Sequence, residues 1–273
     1  MYETHWQLQC RPFDHTADQS FYYPSEAHQG ALLKLRYAVE HRRGAALLAG
    51  AAGTGKTLLV EMLLRQLPEP FSPRAHVVFP QMPPAELMAY LADELGAPCD
   101  STASGSIQHS VRRIQKMLAD NSRGGHHAVV VVDEAHLLDG NAAFESLRLL
   151  SNFQTDSRPD LTLLIVGQPR LLPVLERMRQ LEERIAVKCL LRSLTLEETV
   201  SYVSHRLTAA GAGRAIFDSQ ALEAIHQLTQ GSPRQINRLC DLCLLIGYAD
   251  EQRQLDASRV TAVCQELVSV APE

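Results

Sequence analysis

The segment Gly50-Ala51-Ala52-Gly53-Thr54-Gly55-Lys56-Thr57 writes the pattern GxxxxGK[ST] in full. Its neighbours supply the setting that the pattern needs. Ala45 to Ala49 reads as a short buried strand, and Leu58, Leu59, Met62 and Leu63 recur at helical spacing until Pro68. Strand, glycine-rich turn and helix in that order commit the chain to an α/β core built around a phosphate loop. Glycines let the backbone curl so that its N–H groups converge on the β- and γ-phosphates at a helix N-terminus, where the dipole favours negative charge. Lys56 adds a mobile positive charge and Thr57 a hydroxyl suited to Mg²⁺. The eight residues from Gly50 to Thr57 therefore imply a bound nucleoside triphosphate.

Apolar periodicity organises the rest of the chain. Beyond an irregular start broken by Pro12 and Pro24, Ala31, Leu32, Leu35 and Val39 follow a helical pattern that ends near Gly44. Strands are expected at His76 to Phe79, Val129 to Val132, Leu161 to Val166 and Ile185 to Leu190. Helices are expected through Ala85 to Leu95, Ile107 to Leu118 and Phe144 to Leu150, with a polar loop from Cys99 to Gly105. Arg112, Arg113 and Lys116 fall off the apolar face of the second of these helices, as a solvated side does. Strands alternating with helices predict a three-layer α/β P-loop domain with a parallel five-stranded sheet. From Thr195 only helices follow. Thr195 and Glu198 make a capping box, and further amphipathic stretches run from Phe217 to Leu228, Pro233 to Ala249 and Asp256 to Val268. The expected division is a lead-in over 1–44, a core over 45–192 and an all-helical lid over 193–273.

At 273 residues the chain can bury an α/β core and a smaller partner domain. A net charge of −5 gives no general attraction to nucleic acid or anionic membranes. No segment approaches the roughly 20 apolar residues that span a bilayer, and Met1 to Cys10 has no signal-like pattern, so a cytoplasmic location is expected. Cys240 and Cys243 form a CxxC inside an apolar helix without a second pair, which predicts buried reduced thiols rather than a zinc site. His126 and His127, after two glycines, read as a solvated loop.

Asp133 and Glu134 stand at the carboxyl end of the valine strand, the edge where open parallel sheets bind ligands. Asp133 is suited to Mg²⁺, and Glu134 to orienting and deprotonating the attacking water. Asp133-Glu134-Ala135-His136 also spells the DEAH signature of a helicase superfamily, but that architecture needs a second α/β domain, and the residues after 192 are helical. The lack of an NKxD motif argues against a small GTPase. In Gly231-Ser232-Pro233-Arg234, glycine suits a helix end, serine an N-cap and proline a first turn. Arg234 then sits where its charge opposes the helix dipole, which calls for an anion nearby. Arg184 precedes the last strand, and Gln168 follows the fourth at the same edge as Asp133.

Together, Gly50 to Thr57, Val129 to Glu134, Gln168, Arg184 and Gly231 to Arg234 resemble an AAA+ ATPase. The chain is most similar to the ExeA/GspA-type ATPases of general secretion and pilus biogenesis, through Pro12-Phe13, Phe21-Tyr22-Tyr23, Leu147 to Phe153, Val166 to Pro169 and Gly231 to Asn237. The resemblance implies that Lys56 and Thr57 bind phosphate and magnesium, that Asp133 holds the metal and that Glu134 activates water. It implies Gln168 as a first sensor of the γ-phosphate, Arg234 as a second, and Arg184 as an arginine finger acting on a neighbouring subunit, with Arg179 the next candidate. A finger supplied in trans requires a homo-oligomer, either ring or filament. His136 stands where relatives often have glutamine, and Arg170 where they favour glutamate. Longer relatives continue into a membrane segment and a peptidoglycan-binding domain, and neither carries over to these residues.

The expected function is ATP hydrolysis with Mg²⁺ to drive assembly or remodelling of a partner complex in secretion, pilus or exopolysaccharide biogenesis, with a protein client still to be identified. The alternative is an ATP-dependent DNA-binding switch similar to the TnsC/TniB-type transposition regulators, with Arg112, Arg113 and Lys116 facing DNA. Overall acidity and the absence of interleaved aromatics weigh against DNA.

Overall fold

The computed structural model describes residues 1–14, 21–98, 106–138 and 140–269, so the expected loop from Cys99 to Gly105 lies outside the described residues. The chain divides into two compact units. One holds Ala27–Ala52 and Lys56–Leu191; the other holds Met1–Glu26, Gly53–Gly55 and Arg192–Glu273.

In the first unit, β1 (Ala45–Gly50), β3 (Ala128–Val132) and β4 (Leu161–Gly167) are buried along their whole length. With β2 (Arg74–Val77) and β5 (Ile185–Leu191) they form a five-stranded sheet in the order β2-β3-β4-β1-β5. Every pairing is parallel. Successive strand residues face opposite sides, so continuous apolar runs build two core layers. Leu47, Val130, Val132, Leu163 and Ile165 pack on one side with helices α4 (Pro84–Glu94), α5 (Ile107–Arg123) and α6 (Gly140–Leu150). Leu48, Val129, Val131, Leu164 and Val166 pack on the other with α2 (Glu26–Glu40) and α3 (Lys56–Gln66). Short helices α7 (Leu172–Arg177) and α8 (Arg179–Glu182) lead into β5.

Three local expectations are corrected here. β2 ends at Val77, where its partner β3 ends at Val132, and Val78 and Phe79 leave the sheet with 58% and 66% of their surface exposed. His127 is fully buried, with Nε2 2.8 Å from Thr162 Oγ1. Burial, then the nearby Arg42 charge, pushes its pKa down to about 4. Arg113 is not simply solvated: it bonds the Asp93 carboxylate and the carbonyls of Ala97 and Pro98, tying α5 to the end of α4.

The second unit is helical: α9 (Leu196–Ala209), α10 (Ser219–Thr229), α11 (Pro233–Ala249) and α12 (Ala257–Ser269). The capping box at Thr195 and Glu198 is formed in both directions. Residues 1–26 pack into this unit, although the lead-in was expected to run to residue 44 as one segment. Trp6, in α1 (Glu3–Trp6), is fully buried and donates its indole N–H to the Leu244 carbonyl over 2.9 Å. Gly247 makes room for it, since a Cβ there would meet the indole at 2.9 Å. Arg206 is buried and holds the N-terminal segment through the carbonyls of Pro12 and Asp14. Cys240 and Cys243 are buried free thiols, as expected. Burial raises both pKa values, that of Cys243 to about 12.

Candidate active site

Strand register decides which of the candidate residues share an edge. Ala49 pairs with Gly167, so Gly50, the last residue of β1, and Gln168, the first beyond β4, stand at one level. Val132 pairs with Ile165, which brings Asp133 and Glu134 out beside them. The phosphate loop, both carboxylates and Gln168 thus gather at the carboxyl edge of three adjacent strands.

The loop has the backbone its glycines permit. Gly53 and Gly55 have φ of 78° and 92°, a region that other residues enter only at a cost. Lys56 opens α3 and is almost fully buried, with Nζ donating to the carbonyls of Gly50 and Ala51 at 3.0 Å each. An ammonium folded onto two loop carbonyls is placed to exchange them for phosphate oxygens.

Asp133 is 1% exposed. Its Oδ2 accepts from the Thr57 hydroxyl at 2.7 Å, and its Oδ1 accepts from the Glu134 backbone N–H at 2.7 Å. A buried carboxylate beside a hydroxyl is a hard-oxygen donor pair of the kind Mg²⁺ takes in phosphate sites, so these residues fit that ion. No cluster of three or more His, Cys, Asp or Glu suited to a metal occurs among the described residues. His76 reaches toward the pair from β2, with Nε2 3.9 Å from Asp133 Oδ2. The only sequence signal at His76 is a polar residue in a strand expected beside the valine run.

Glu134 has a left-handed backbone, φ 47° and ψ 33°, which costs on the order of 1 kcal/mol for a non-glycine residue. Its side chain remains 38% exposed, against the burial of its neighbour Asp133. Its Oε2 lies 3.3 Å from His136 Nδ1. One carboxylate is thus tied into the strand edge while the next stands open to solvent, the division of labour expected of a metal ligand and a base.

Gln168 follows β4, and its backbone N–H also points to His136 Nδ1 at 3.3 Å. Arg184 lies elsewhere. Ile185 pairs with Ala45 at the start of β1, so Arg184 belongs to the amino edge, where its guanidinium donates to the Ser151 carbonyl and hydroxyl at 3.0 Å each. Arg234 is exposed in the first turn of α11, behind Ser232 and Pro233. Within the second unit its N–H donates to the Gly53 carbonyl at 3.3 Å, and a Cβ on Gly53 would come within 2.8 Å of the Arg234 Cβ. Gly231, at φ 68°, accepts from the Leu194 N–H; a Cβ there would collide with the Leu194 carbonyl. Ser232 occupies the N-cap position without a side-chain cap bond.

Known proteins resemble this chain in sequence and in fold. The AAA domain family matches residues 39–175. General secretion pathway protein A of Aeromonas hydrophila is 34% identical over 276 residues, covering all of this chain. The chain spans about half the length of that curated relative, 50%. Among solved structures, the Aeropyrum pernix ORC2 protein in ADPNP and ADP complexes matches with a TM-score of 0.69 at 17% identity, over 96% of this chain and 72% of that one. Cdc6p from Pyrobaculum aerophilum matches with a TM-score of 0.72 at 15% identity, over 93% of this chain and 74% of that one. At such low identity the two structures speak for the fold alone. The family match over residues 39–175 establishes that this chain belongs to the AAA domain family of P-loop ATPases, and it is similar over its whole length to the secretion protein.

Proposed function

We propose that the chain binds ATP on Gly50 to Thr57, hydrolyses it at Glu134, and uses the cycle to assemble or remodel a secretion-related partner complex. The observation that carries this reading is the Thr57–Asp133 bond of 2.7 Å with Glu134 as the next residue. Thr57 and Asp133 would hold Mg²⁺, which supplies charge neutralisation at the phosphates when bound. Lys56 would move its ammonium from the loop carbonyls to the phosphates. Glu134, open to solvent, would orient water and take its proton. Gln168 and Arg234 would register the γ-phosphate.

Arg184 fits a role in trans. β1 has six residues at about 3.3 Å each, so the amino edge lies about 17 Å from Gly50. An arginine at that edge cannot reach its own phosphate loop and would serve a neighbouring copy in a ring or filament. The biological role rests on the relative's name, General secretion pathway protein A. The DNA-switch alternative is not favoured. Among the described residues no helix is long and apolar enough to cross a membrane.

The test is ATP hydrolysis and binding of a fluorescent ATP analogue by wild type and Glu134→Gln. The expected result is hydrolysis that requires Mg²⁺ and falls by about 10² or more in the variant, with analogue binding retained. Wild-type turnover by Glu134→Gln would remove the assigned base. An ATP-dependent, salt-sensitive shift of duplex DNA would revive the switch reading.

A further inference from the structure

His136 lies in the 3₁₀ turn Ala135–Leu137, two residues past Glu134, and its side chain is 2% exposed. Its Nδ1 is 3.3 Å from Glu134 Oε2 and 3.3 Å from the Gln168 backbone nitrogen. The ring is seated against the end of β4, where a Cβ on Gly167 would come within 3.2 Å of Nδ1. The two partners make opposite demands. The Gln168 N–H donates, so Nδ1 must present a lone pair; the Glu134 carboxylate accepts, so Nδ1 must carry a proton. A single ring nitrogen satisfies one of them at a time.

We infer that His136 is a positioning residue that links Glu134 to Gln168 through this shared nitrogen. With the proton on Nδ1, the ring holds Glu134. With the proton on Nε2, Nδ1 accepts from Gln168 and the carboxylate is released. The inference rests on the reading of Glu134 as the water-orienting base. A carboxylate that already accepts from an N–H is a weaker acceptor for a water proton, so hydrolysis belongs to the arrangement in which Gln168 has the nitrogen. Gln168 stands at the proposed γ-phosphate position, and a shift of its backbone reaches Glu134 through one atom. Burial, followed by the Arg170 charge, holds His136 below the usual imidazole range. Lys56 acts in the same direction, while Glu134 and Asp133 oppose it. The ring is therefore neutral near pH 7, and the choice lies between two tautomers.

Nitrogen-15 spectra of ring-labelled histidine in the intact protein report the Nδ1 state directly. The His136 signal among 11 histidines is identified by its absence in His136→Phe, or in His136→Asn should the phenylalanine variant not fold. The expected result is a proton-bearing Nδ1 in free protein and a bare Nδ1 with Mg²⁺ and a non-hydrolysable ATP analogue. An Nδ1 in the same state in both samples overturns the inference. Kinetics supply a second arm. His136→Phe fills the space without the nitrogen and leaves the Glu134 carboxylate released in every state, so it is expected to keep kcat at or above the wild-type value, with KM for ATP within about twofold. A kcat about tenfold or more below wild type in the phenylalanine variant overturns the inference as well. Failure to bind ATP, or full activity in Glu134→Gln, would instead overturn the reading of the site on which it rests.

Discussion

The Thr57 hydroxyl donates to Asp133 Oδ2 over 2.7 Å, joining the first turn of α3 to the end of β3. If this oxygen pair holds Mg²⁺, removing one member weakens the ion more than the nucleotide. Thr57→Ala is expected to raise the Mg²⁺ concentration for half-maximal ATPase activity by about tenfold or more, a cost of about 1.4 kcal/mol, whereas Thr57→Ser keeps the hydroxyl and stays close to wild type. A titration of activity against Mg²⁺ at saturating ATP decides it. An unchanged midpoint for the alanine variant would count against the pair.

Arg184 sits on the opposite sheet edge from the phosphate loop and is anchored by Ser151. Arg184→Ala is expected to lose about 10³ in turnover or more while still binding ATP. Mixing it with Glu134→Gln, itself inactive, should recover part of the activity, because some neighbouring pairs then combine a sound base with a sound arginine. Two inactive variants that stay inactive when mixed would argue against action in trans.

Glu198 closes the capping box with Thr195 and is gripped by Arg192 at 2.5 and 3.1 Å. The Arg192 hydrogen bonds, ahead of the opposing effect of burial, lower its pKa below the ordinary 4.5. A lowered carboxylate pKa stabilises the fold above its unfolded value and stops doing so as pH falls through the folded one. Glu198→Gln should therefore be less stable than wild type at pH 7, with the gap closing below about pH 4. Thr195→Ala should cost about 1 kcal/mol at pH 7. Urea unfolding followed from pH 7 downward measures both; a gap that does not narrow as pH falls would refute the charge linkage.

His127 is buried at the start of β3 with a pKa pushed down to about 4 from 6.5. The unfolded chain takes up this proton before the folded one, so stability is full above pH 6.5 and falls between 6.5 and 4, by on the order of 3 kcal/mol at the lower limit. His127→Phe should flatten that slope. Proton NMR of the imidazole in the intact protein is the direct check, and titration near 6.5 would refute the linkage.

Much of the architecture can be read locally. Val129 to Val132 is a buried run wherever it is placed, Pro233 opens a helix because its fixed φ and missing N–H suit a first turn, and Thr195 with Glu198 supplies its own cap. The phosphate loop is contiguous in the chain, and so is the Asp133-Glu134 pair. His127, Arg113 and His136 could not be read this way, because what they touch is far off in the chain: Thr162, Asp93 with the end of α4, and Gln168.

Chain order alone established a phosphate loop, two adjacent carboxylates and a change from alternating to all-helical structure near Thr195, since each depends on neighbours within a few residues. Tertiary structure decided which of these groups meet. The pairing of β1 and β3 with β4 brings Gly50, Asp133 and Gln168 to one edge, and the pairing of β1 with β5 sends Arg184 to the other. Register between distant strands is fixed by the packing of both apolar faces at once, and no local pattern carries that information.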